Sequence, residues 1–285
     1  MFDMRYHITS LVAVFLALAV GIVLGTAIVN KGIVERQQSA LVSSLRSEFG
    51  SLRERNRALQ EQANHNEQFF QNMLPLLIDK RLAGKRIAVV STSANDAVRI
   101  RPVVTRLTQA GATVSVITIA RQDLGVGEPS MAVKLQKIFV REKLKGEELR
   151  QRLIAEVATQ VASLAEPAFL DQLAQIGVMQ ITGADRLPAD GIVFIAGSSP
   201  KTMIEKVQVP LLERVRRGSV IVVGAEATDV KESVVPLYQD RDISTVDNAE
   251  SPIGQFSIVM ALSGRAGHYG VKDTADVLAP RLESR

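Results

Sequence analysis

Apolar and polar residues change their spacing twice along this chain, and each change marks a different kind of element. From Ile8 to Val29 the run ITSLVAVFLALAVGIVLGTAIV carries no charged side chain. As a helix rising about 1.5 Å per residue it reaches roughly 33 Å, enough to cross a hydrocarbon core of about 30 Å. From Gln38 onward the chain is polar, but apolar residues recur at alternating steps of three and four. Val42, Phe49, Asn56, Ala63 and Phe70 fall at heptad position a, and Leu45, Leu52, Leu59, Asn66 and Met73 at d. That spacing predicts a coiled-coil seam, which Pro75 is expected to end. Beyond it, short Val- and Ile-rich runs alternate with amphipathic stretches, the pattern of a mostly parallel sheet in an α/β domain.

The predicted strands are Arg86 to Ser91, Thr113 to Ile119, Gly177 to Ile181, Gly191 to Ala196 and Ser219 to Val223, with a weaker one at Ile243 to Val246. Helices are expected near Asp96 to Ala110, Pro129 to Lys143, Gly146 to Leu164, Ala168 to Gln175, Lys201 to Arg217 and Pro252 to Leu262, with Gly111 and Gly218 as stops. The predicted organisation is a short tail at 1–7, a transmembrane anchor at 8–29, a stalk at 30–74, a Rossmann-like α/β domain at 84–280 and a tail at 281–285.

The apolar run is longer than the 7–15 residues usual in a cleaved signal peptide, although Gly25 and Ala27 imitate a cleavage site. An uncleaved, single-pass anchor in the cell membrane is the expectation, with the bulk of the chain extracytoplasmic. Arg5 on one side against Lys31 and Arg36 on the other leaves orientation undecided by charge. Within the span, Ala13, Ala17, Gly21 and Gly25 form a four-residue small stripe of the kind that lets two membrane helices approach. Such residues are also simply common in membrane helices. In the stalk, Asn56 at a favours a two-stranded register, and Glu48 at g meets Arg53 at the next e of a parallel partner. A homodimer follows, unless the helix instead folds back on its own domain.

Composition narrows the chemistry. No cysteine occurs, which excludes disulfides, thiolate catalysis and thiolate metal sites. A net charge of +4 with interspersed signs gives no reason to expect nucleic acid as a partner. The strand-end turns Ser91–Asp96, Gly197–Lys201 and Gly224–Asp229 are where an α/β sheet would bind a ligand. They carry no dinucleotide, P-loop or nucleophile-elbow fingerprint. Their small polar residues read as helix caps or, with Lys201, as an anion crevice. His7, His65 and His268 are scattered, a triad built on His268 would sit in a glycine-rich loop, and no enzyme is expected. Met1, Met4 and His7 are soft donors at steps of three, weak candidates for a metal.

The opening Arg5-Tyr6-His7-Ile8-Thr9-Ser10-Leu11-Val12-Ala13-Val14-Phe15-Leu16-Ala17-Leu18-Ala19-Val20-Gly21-Ile22-Val23-Leu24-Gly25, with the stalk and then Gly84-Lys85-Arg86-Ile87-Ala88-Val89-Val90, resembles the actinobacterial copper transport protein B family. The likeness covers essentially the whole chain by order of parts and is most specific in the anchor. It implies copper export or homeostasis at the cell envelope, and copper as a ligand by resemblance alone. It also implies an alternative, a division scaffold that binds a septal partner and regulates peptidoglycan hydrolysis. The resemblance carries over no catalytic residues.

Overall fold

Runs dominated by valine and isoleucine suit strands covered on both faces, and they form the centre of the sheet. The computed structural model describes residues 4–29, 33–139, 142–162, 168–183, 188–197, 199–218 and 220–282. The chain divides into two units, Met1–Asn66 and Glu67–Arg285. The first holds α1 (Met4–Val29), whose stretch Met4–Ala27 is long and apolar enough to cross a membrane and is not covered by any other part of the chain. It also holds most of α2 (Ile33–Ile78).

The second unit begins with the last turns of α2. Pro75 does not end this helix, which continues to Ile78. Proline removes one backbone bond, but Leu74, Ile78 and Leu82 are fully buried here, and each such side chain contributes about 1.5–3 kcal/mol. Burial outweighs the lost bond. Phe70, placed in the predicted seam, packs edge-on against Phe256 with ring centroids 6.2 Å apart. The end of the heptad pattern is thus part of the domain core.

After α2 come β1 (Arg86–Ser91), α3 (Ala97–Gln109), β2 (Thr113–Ile119), α4 (Pro129–Ile138), α5 (Gly146–Ala162), α6 (Ala168–Gln175), β3 (Met179–Gly183) and β4 (Gly191–Ala196). The chain goes on through α7 (Lys201–Met203), a π-helix (Ile204–Gln208), α8 (Val209–Arg216), β5 (Ile221–Glu226), α9 (Val235–Gln239), β6 (Ser244–Val246), α10 (Pro252–Leu262) and β7 (His268–Tyr269). The seven strands run in the order β3-β2-β1-β4-β5-β6-β7. All pairs are parallel except β2 with β3, where Ile119 stands opposite Met179. This is the α/β, mostly parallel architecture that the spacing predicts, and its order reverses between β1 and β4 as in doubly wound folds.

One face of the sheet packs Ala88, Ile117, Ile192 and Phe194 against α4, α5, α6 and α8. The other packs Val89, Val193 and Val223 against α3, α10 and the end of α2.

Three expectations need correction. The segment Lys201–Arg217 is not one α-helix, because Pro210 supplies no N–H and a π-turn precedes it. The glycine-rich loop around His268 contains β7, which pairs with β6. Strands three and five lie two or three residues later than predicted. Residues 283–285 of the predicted tail fall outside the described residues.

Candidate functional site

The order reversal brings the ends of β1 and β4 side by side, and the predicted polar turns meet there. Ser91 donates its hydroxyl hydrogen to Asp96, which is fully buried, at 2.7 Å. Thr92 and Ser199 share a hydrogen bond of 2.6 Å between hydroxyls across the two strands. Ser93 accepts from the Asn95 N–H and so caps the 3₁₀ turn before α3, as a small polar residue should. Arg99 grips Asp229 from across the crevice at 2.9 Å. Lys201, the expected anion ligand, instead lies near Glu205, and Ser198 is outside the described residues. These groups satisfy one another, which is the helix-capping outcome.

Next to this rim, Glu226 ends β5 fully buried, and Asp247 follows β6 at 1% exposure. The C-terminal segment lies over both. Lys272 donates from its ammonium to Glu226 at 2.6 Å and from its backbone N–H to Asp247 at 3.1 Å. Gly270 makes this possible, since any side chain there would strike the Asp247 carboxylate. His268 pairs through Nδ1 with the Thr245 hydroxyl at 2.9 Å. Among the described residues no serine is hydrogen-bonded to it.

A second locus, which sequence reasoning missed, sits at the carboxyl end of β2. Asp123 and Leu124 both take left-handed backbone angles, φ 53° and 57°, before Gly125 at φ 78°. A non-glycine residue held there costs about 1–2 kcal/mol, so the surroundings must over-determine it. They do. Arg150, 9% exposed, binds the Asp123 carboxylate and also Glu147. The Asp123 N–H donates to the Met203 sulfur at 2.9 Å. Met131 packs on Gly125, where an added Cβ would come within 2.5 Å of its side chain. The π-helix starts at the next residue after Met203 and packs against the strained turn.

Of the predicted site residues, Met1 lies outside the described residues. Met4 and His7 are exposed in the first turns of α1. Ala13, Ala17, Gly21 and Gly25 lie along that helix, with open space beside both glycines. Val42, Leu45, Phe49, Leu52, Asn56 and Leu59 lie exposed along α2. The structure does not pair either stripe with anything.

Among the described residues no group of three or more His, Cys, Asp or Glu could hold a metal. The soft donors that remain are thioethers, and Met131, Met179 and Met203 are buried on one face of the sheet. Such donors fit Cu(I) and do not fit Mg²⁺ or Ca²⁺.

These features define a class: a doubly wound α/β domain in a chain that also carries an N-terminal helix fit for membrane association. Comparison with known proteins makes the class specific. The chain belongs to the family described as copper transport outer membrane protein, MctB, which matches residues 1–280. It is 26% identical to the copper transporter MctB of Mycobacterium bovis over 95% of this chain and 96% of that protein. The copper transporters MctB of two Mycobacterium tuberculosis strains match at the same identity and coverage.

Proposed function

We propose that this chain acts in copper homeostasis at the cell envelope as a membrane-anchored, parallel homodimer whose α/β domain is a binding head. The observation that carries this reading is the family match, which covers residues 1–280 and so includes both the N-terminal apolar helix and the α/β domain. A single apolar helix suits a cytoplasmic membrane. The sheet has two edges and helices on both faces among the described residues, so it is not a lipid-facing barrel. In this reading the bulk of the chain works outside the cytoplasm, the side on which an envelope role is exercised.

Support for the dimer comes from α2. Leu45, Phe49, Leu52 and Leu59 are 43–66% exposed along one seam. A second copy of the same helix would cover them, with Glu48 opposite the partner's Arg53. An antiparallel pair would instead bring the basic e positions Arg46 and Arg53 toward one another. A non-catalytic role is supported by the mutual satisfaction of the strand-end polar groups.

The test is copper tolerance in the source organism. Deleting the gene should lower tolerance, and restoring the full chain should recover it, whereas a chain lacking residues 8–29 should not. Unchanged tolerance together with a septation defect would overturn this reading in favour of a division scaffold.

A further inference from the structure

We propose that the carboxyl end of β2 is a Cu(I) site, in which the thioethers of Met203, Met131 and Met179 hold the ion. The proposal rests on the copper reading above and names where on the α/β domain the ion is taken.

Two unusual features meet at this place, and a third lies on the adjoining π-turn. The turn Asp123-Leu124-Gly125 is left-handed throughout although Leu124 is buried at 1% exposure. Directly beneath Met203 the helix widens into a π-turn, a form concentrated at functional sites. That turn carries Gln208, fully buried, whose amide oxygen and nitrogen have no hydrogen-bond partner among the described residues. Gln208 closes the π-turn five residues after Met203. A buried amide in this state calls for an explanation, of which a bound ion or an ordered water is one.

The donors specify what that is. The Met203 sulfur points at the strained turn, and the Asp123 N–H donates to it at 2.9 Å. Met131 reaches the same turn through Gly125, and Met179 stands opposite Ile119, the last residue of β2. The antiparallel β3 is what returns Met179 to this end of the sheet. Thioethers in a dry setting select a soft monovalent cation, Cu(I) or Ag(I), over Zn²⁺. Charge is consistent with this: Asp123, Glu147 and Arg150 interact as a group of net charge −1 next to the Met203 sulfur, which offsets one positive ion. Methionine packed only as a gap-filler would call for neither the strained turn nor the orphaned amide.

The experiment is an anaerobic titration of the full-length protein in detergent with Cu(I) against bathocuproine disulfonate, with X-ray absorption on the loaded sample. About one Cu(I) per chain is expected, with sulfur in its first shell. Met203→Leu combined with Met131→Leu should weaken binding at least about tenfold, while Met260→Leu, buried on the opposite face, should leave it unchanged. Thermal unfolding of the three variants verifies that they fold. Unaltered affinity in the double variant overturns the site, and so does binding that disappears instead with Met4→Leu and His7→Ala. The two readings fail separately. A double variant that loses Cu(I) but fully restores copper tolerance overturns this site as the functional one, whereas a deletion strain with normal tolerance overturns the copper role and leaves the binding result standing.

Discussion

The side chain of Tyr238 is fully buried against Gly224 on β5, and its hydroxyl has no hydrogen-bond partner among the described residues. An unmade bond of this kind offers little stability, so Tyr238→Phe should be neutral or slightly stabilising at neutral pH in denaturant unfolding. Desolvation, and secondarily the charge of Glu226, push the phenol well above its ordinary range. Because the folded value exceeds the unfolded one, stability should fall as pH rises past about 10, and the Phe variant should lose that alkaline limb. The opposite case is Asp190. The side-chain hydrogen bonds from Arg86 hold its carboxyl below the usual range, so its contribution is present at neutral pH and fades as acid protonates it. Asp190→Asn should flatten the acid limb of the stability profile by a small amount, since the pair is partly exposed. Lys272→Met is the severe change. It strips the ammonium from a fully buried Glu226, and unfolding free energy should drop by about 3–5 kcal/mol, recovered in part by adding Glu226→Gln.

Among the elements, β1, β2 and β4 were legible because short runs rich in Val and Ile, bounded by turn residues, admit little besides a strand inside the sheet. Short elements were not. The two residues of β7 are recruited by pairing with β6, and α9 has only five residues, too few for any helical period to show. The π-helix was foreshadowed only by Pro210. The methionine locus was invisible for a different reason: Met179 and Met203 lie 48 and 72 positions from Met131, and only the antiparallel return of β3 and the start of the π-turn bring them toward one strand end. The heptad reading extended too far at its end, since Phe70 is engaged by Phe256 within the domain. Phe70→Ala should therefore lower domain stability by about 1–3 kcal/mol without altering self-association, while Leu45→Glu with Leu52→Glu should abolish self-association and leave domain unfolding unchanged. Sedimentation of the detergent-solubilised variants, paired with urea unfolding, separates the two effects.

At the scale of the whole molecule, the family match extends from the N-terminal helix through the α/β domain to residue 280. The proposed arrangement asks two copies to present their α2 seams to each other from a shared membrane. The absence of cysteine from the natural chain makes this directly testable, because any engineered thiol is the only one present. The most direct measurement is oxidative cross-linking in intact membranes of Leu52→Cys, at heptad position d, beside Glu54→Cys, at the outward f position. A parallel coiled-coil dimer predicts a covalent dimer from Leu52→Cys and little from Glu54→Cys. Monomer from Leu52→Cys, or equal cross-linking from the two positions, would contradict the account.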